Sequence, residues 1–170
     1  MRLLFPLASA AACFATLTTA DTVLPERLPP GFDDLAAQVT AMCGEGQRAV
    51  LPGSGFTQPH DFNGDGVPDF LVESSDFRCY PEGNLIWGGT AGTAYFIYLS
   101  QPDGSFRRAF AAAGHALHLV DMFGDGRAMA VVIFHHGLYC GLSGVSSCVG
   151  AVIWDPVTGD FSGTGYEPPA

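Results

Sequence analysis

Apolar residues fall along this chain in short blocks separated by glycine, proline and acidic positions, and the spacing within the blocks changes once. Over residues 32–42, Leu35, Val39 and Met42 recur at helical spacing. Asp33 and Asp34 stand where a helix N-terminus favours negative charge, and Gly44 follows the last turn. One short helix is predicted there. Beyond it the blocks have strand length and are rich in β-branched and aromatic residues, at 49–51, 69–73, 93–100, 106–110, 116–120, 128–134 and 150–154. Asp103-Gly104 separates two such blocks, and Thr158-Gly159 separates the last block from Phe161, each in the manner of a hairpin turn. Residues 21–31, with Pro25, Pro29 and Pro30, read as an extended lead-in, and residues 32–170 as a single β-rich domain.

The run Asp61-Phe62-Asn63-Gly64-Asp65-Gly66-Val67-Pro68-Asp69 places oxygen-bearing side chains at loop positions one, three, five and nine. Gly66 allows a sharp turn at position six, and position seven offers the Val67 carbonyl. This spacing suits Ca2+, which takes about six to eight oxygen ligands. Three carboxylates in so short a run repel one another unless a cation lies between them. The competing reading is a polar turn that binds nothing, since Asp, Asn and Gly favour turns unaided. An EF-hand would require Glu at position twelve, where Val72 stands instead inside Phe70-Leu71-Val72, so a strand and not a helix should follow the loop.

Asp-x-Asn-Gly-Asp-Gly-x-Pro-Asp-Phe-Leu-Val resembles the calcium loops of FG-GAP and VCBS-type repeats of integrin-like propeller blades. The resemblance implies that Asp69 takes the place of the missing Glu. The ligands it implies are Asp61, Asn63, Asp65 and Asp69 by side chain and Val67 by carbonyl, with water completing the shell of one ion. Setting Asp61 against Asp121 aligns a second loop, Asp-Met-Phe-Gly-Asp-Gly-Arg-Ala, about 60 residues on. The strand Phe70-Leu71-Val72 then matches Ala130-Val131-Val132. Phe123 and Met129 occupy two ligand positions, so this copy is expected to keep the turn and to have lost the metal. Repeat 1 covers about 61–110 and repeat 2 about 121–163. Two repeats cannot close a propeller ring. The expected fold is two repeated antiparallel sheet units packed as a small sandwich or open barrel, with one short N-terminal helix.

Met1-Arg2, the apolar run that follows and Thr18-Thr19-Ala20 read as a signal peptide over residues 1–20, with a lipoprotein signal ending at Cys13 as the competing expectation. A periplasmic or extracellular protein without a membrane span follows. Removal of Cys13 leaves Cys43, Cys79, Cys140 and Cys148, enough for two disulfides in an oxidising compartment, with three connectivities. Cys140 and Cys148 flank a Gly/Ser-rich segment that looks like a loop tied at its base, which pairs Cys43 with Cys79 by elimination. A Cys₄ zinc site is the alternative, although no Cys-x-x-Cys occurs. The net charge of −10 and the absence of lysine disfavour nucleic acid or an anionic membrane as partner, and exclude lysine-based catalysis.

Catalytic signals are thin. On a strand, residues three apart or adjacent point to opposite faces, so His115 diverges from His118 and His135 from His136, unless folding brings two histidines together. No Gly-x-Ser-x-Gly elbow occurs, and Glu73 with Asp76 is the carboxylate pair to test for glycosidase chemistry. The expectation is an exported, calcium-binding, disulfide-stabilised, non-catalytic module that binds a protein or glycan. A calcium-stabilised secreted hydrolase acting on glycan or peptide and a secreted inhibitor of another enzyme are the alternatives. A cleft lined by two carboxylates outside the calcium loop would favour the hydrolase, and an exposed apolar patch the binding module.

Overall fold

The computed structural model describes residues 32–124, 126, 129–143 and 145–164; the expected signal peptide and lead-in, together with Cys13 and Asp125, lie outside the described residues. Among the described residues one α-helix, α1 (Asp33–Ala41), precedes eleven strands. They are β1 (Arg48–Val50), β2 (Phe56–His60), β3 (Asp69–Glu73), β4 (Arg78–Tyr80), β5 (Asn84–Leu85), β6 (Thr93–Ser100), β7 (Phe106–Gly114), β8 (Ala116–Asp121), β9 (Met129–His136), β10 (Ser147–Asp155) and β11 (Asp160–Thr164). They form three antiparallel sheets ordered β1-β4-β5, β2-β3-β6-β7 and β11-β10-β9-β8, none closed into a barrel. The architecture is mainly β, a sandwich with one helix.

The two four-stranded sheets have one plan: a strand, an acidic loop, then three strands paired in chain order. In the first sheet β2 leads into the Asp61 loop, and in the second β8 leads into the Asp121 loop. Two strands of the small sheet, β4 and β5, are inserted between β3 and β6 of the first unit, and the third, β1, precedes β2. Strands β2, β4 and β5 had no sequence signal: Pro59 interrupts β2, and β4 and β5 are too short to show a period.

β6 explains how the layers stack. Seven of its eight residues are buried, because the first sheet is covered on both faces. Phe96 and Tyr98 point to one side, where they meet Phe32, Leu35 and Val39 of the helical segment together with Leu51, Val72 and Phe77. Ile97 and Leu99 point to the other and, with Phe110 of β7, meet Val131, Ile133, Val152 and Phe161 across the gap to the second sheet. Helix and small sheet thus cap one face of the first sheet, and the second sheet takes the other.

Phe32 ends the capping layer as an aromatic plug, with ring centroids 5.3 Å from both Phe56 and Phe70 and 5.0 Å from Phe106. Met42 departs from expectation. It lies just past the helix and is half exposed, so Leu35 and Val39 alone carry the buried stripe. The Cys43–Cys79 disulfide joins the end of α1 to β4, and Cys140–Cys148 closes the loop between β9 and β10. At the crossover between sheets, a Cβ on Gly114 would lie 2.6 Å from Ile133 Cγ2 and 2.7 Å from the Phe134 carbonyl oxygen, which accounts for glycine there.

Candidate functional site

The Asp61 loop is built around one carboxylate. Asp61 Oδ1 accepts from the Gly64 N–H at 2.7 Å and the Asp65 N–H at 3.2 Å, while Oδ2 accepts from the Gly66 N–H at 2.6 Å. Gly64 and Gly66 have φ of +78° and +88°, values that a side chain resists, and this lets consecutive N–H groups turn inward. Asn63 Oδ1 accepts from the Asp65 N–H, and its amide nitrogen donates to Asp65 Oδ2 at 2.9 Å. Asp65 Oδ1 accepts from the Val67 N–H at 2.8 Å, and the Val67 side chain is half exposed.

Asp69 lies at the base of this loop and differs from the others in being fully buried. Its Oδ2 accepts from the Phe62 N–H and its Oδ1 from the Ser100 N–H, both at 2.8 Å. Ser100 in turn donates its hydroxyl to the Pro68 carbonyl. Asp69 therefore clips the entry of the loop to the end of β6, a structural duty that the sequence spacing did not reveal. Burial pushes its carboxyl above the usual range. The two N–H donors pull it down, and the charges of Asp65 and Asp61 push it further up.

The second loop repeats the frame with oxygens missing at two of the positions that carry them in the first; Asp125, at the position of Asp65, lies outside the described residues. Asp121 Oδ1 accepts from the Gly124 N–H and Oδ2 from the Gly126 N–H, each at 2.8 Å, matching Asp61 with Gly64 and Gly66. Where the first loop has Asn63, the exposed Phe123 stands. Where it has Asp69, Met129 packs against the apolar core between the sheets.

Among the described residues no three His, Cys, Asp or Glu side chains stand together as a ready-made metal cage. The donor chemistry of the first loop nevertheless fits a hard cation: Asp61, Asn63 and Asp65 are oxygen donors on an exposed rim, and Asp69 lies close enough for its charge to be felt with theirs. Each carboxylate oxygen keeps acceptor capacity beyond one N–H. The second loop keeps Asp121 and, in sequence, Asp125, but has Phe123 and Met129 at the other two ligand positions and so offers fewer oxygens.

The other sequence candidates separate. Glu73 lines an open cleft of about 370 Å³ with Trp87, Tyr95 and His115; Asp76 is not in it and pairs with Arg78 at 3.5 Å. A second depression, of about 360 Å³, holds the single carboxylate of Asp34 beside Arg107 and Arg108. His115 and His136 do meet, ring centroids 6.1 Å apart, with no third ligand among the described residues, whereas His135 is buried and bonds the Ala113 carbonyl through Nδ1. The Nε2 of His60 is buried without a partner, its ring edge-on to Phe62.

One surface escaped sequence reasoning. The outward face of the β11-β10-β9-β8 sheet carries a groove of about 440 Å³ lined by Val120, Met122, Ala130, Val132, Ala151 and Ile153, with no charged residue in it. The signal was present in the chain, which has no Asp, Glu, Lys or Arg between Arg127 and Asp155. Comparison with known protein families, with curated proteins and with solved structures finds no match to this chain.

Proposed function

We propose that this protein is an exported, non-catalytic interaction module whose first loop binds one calcium ion and is stabilised by it. The observation that carries the reading is the contrast between the loops. Both hold the same cradle of N–H groups around a leading aspartate, yet the second has Phe123 and Met129 where the first has Asn63 and Asp69. The common plan of the two sheets supports a duplicated unit of the FG-GAP-like kind in which one copy kept the metal chemistry. Bound calcium would supply positive charge where Asp61, Asp65 and Asp69 repel one another, and so link the loop to the β3–β6 pairing through the Asp69 clip.

The interaction part of the reading is supported by the uncharged apolar face that stands open on the second sheet. Two disulfides suit an oxidising compartment, and no helix among the described residues is long and apolar enough to cross a membrane. The test is a thermal melt with and without millimolar calcium. A rise in melting temperature that Asp65→Ala abolishes supports the reading, and an unchanged melt removes it.

A further inference from the structure

We propose that the cleft beside Glu73 binds a guanidinium group, carried by an arginine side chain or by a small guanidine, which pairs with the Glu73 carboxylate and lies against Trp87. The inference rests on the reading of the protein as an interaction module and gives that module a ligand. Strand register builds the site. Asp69 and Ser100 mark the calcium-loop end of the β3–β6 pair, and the cleft lies at the other end, where Glu73 closes β3 and pairs with Tyr95, so that both side chains stand on one face. The segment from β5 to β6 brings Trp87 to the cleft, and the turn between β7 and β8 brings His115. Gly92 lets these two segments touch: its φ is +94°, and a Cβ there would strike the Gly114 carbonyl oxygen. The volume of about 370 Å³ is that of a small-ligand site.

The charge of the cleft points to a cation. Glu73 contributes the one carboxylate of the lining, and no arginine joins it. Among the described residues Glu73 has neither a hydrogen bond nor an ion pair, whereas Asp69 accepts two N–H bonds and Asp76 pairs with Arg78. Its charge reaches into the site all the same: burial, and after it the Glu73 carboxylate, pushes the Tyr95 hydroxyl above the ordinary tyrosine range. Trp87 supplies an aromatic surface. Its indole packs on Phe96 and Phe77, with ring centroids 5.2 and 6.4 Å away, and is only partly buried. Trp154, the other tryptophan, has Arg107 over its ring at 5.9 Å; Trp87 has no such cation of its own among the described residues. A guanidinium fits this set, because its plane stacks on an aromatic ring while its fork of N–H donors pairs with a carboxylate. Ser75 and Thr93 add hydroxyl oxygens that can accept from the remaining donors. The net charge of −10 draws such a ligand in at long range.

Backbone and indole N–H spectra by NMR test the site on the disulfide-bonded protein in calcium, titrated to about 10 mM with the blocked tripeptide Gly-Arg-Gly, with methylguanidinium, and with the tripeptide in which citrulline replaces arginine. The expected result is saturable shifts at Glu73, Trp87, Tyr95 and His115 from the two guanidinium ligands, with a dissociation constant of about 1 mM, and none from citrulline, which keeps the shape and lacks the charge. Tighter binding of the peptide than of methylguanidinium supports an arginine side chain as ligand, and equal binding a free guanidine. Glu73→Gln should weaken binding at least about tenfold and Trp87→Leu about three- to fivefold. Glu45→Gln, which removes an equal charge outside the cleft, should leave binding unchanged. Glu73 is exposed, so its variant should keep the wild-type spectrum away from the cleft and remain a fair test. No saturable shift at these residues, equal binding of the citrulline peptide, or equal loss in Glu45→Gln and Glu73→Gln overturns the inference. Failure of the calcium reading would show separately, as a melt indifferent to calcium with the arginine peptide still bound.

Discussion

Asp69 concentrates the opposing forces of this molecule in one carboxyl group. It is fully buried, it accepts two backbone N–H bonds, and it feels two neighbouring carboxylates. Its folded pKa lies above the ordinary aspartate value, with burial as the largest cause. The folded state thus holds that proton more tightly than the unfolded chain does. The stability this contributes is complete below the unfolded pKa and is lost as pH rises through the folded value. In chelator, melts across the acidic range should therefore show a loss of stability on raising pH that is absent in Asp69→Ala, itself destabilised at every pH by two orphaned N–H donors. Asp65→Ala should remove the calcium-dependent rise in melting temperature, whereas Asp125→Ala in the second loop should leave it intact. The sequence exposed the spacing of Asp61, Asn63, Asp65 and Asp69, because Asx-rich loops write their chemistry locally. It concealed the Ser100 N–H that fixes Asp69, because that bond spans 31 positions and is set by β3–β6 pairing.

At the scale of elements, β3, β6, β7, β8, β9 and β10 were legible as apolar blocks, and α1 as a helical period closed by Gly44. Of the small sheet, β1 was legible as the block 49–51, but β4 and β5 were not, since they have three and two residues and owe their pairing to position between the Cys43–Cys79 bridge and the capping layer. Removing that bridge should cost about 4 kcal/mol on the loop-entropy estimate, and removing Cys140–Cys148 about 2.5 kcal/mol, measured as the loss in unfolding free energy of Cys→Ala pairs in urea. Gly114→Val should cost at least about 1–3 kcal/mol by the same measurement, because its side chain enters the space of Ile133 and the Phe134 carbonyl.

At the scale of the whole molecule, two sheets of one plan lie face to face, one capped by a helix and the other left open. Inward and outward residues alternate in the second sheet, and it is the outward half of that alternation, apolar where a solvated face would be polar, that marks the open surface. The account turns on the asymmetry of the two loops, so the number of calcium ions bound per chain tests it most directly. Isothermal titration of calcium into chelator-stripped protein should give one site, with a dissociation constant of about 10⁻⁴ to 10⁻³ M, the range of extracellular calcium modules. Two ions per chain, or no heat through millimolar calcium, would contradict it.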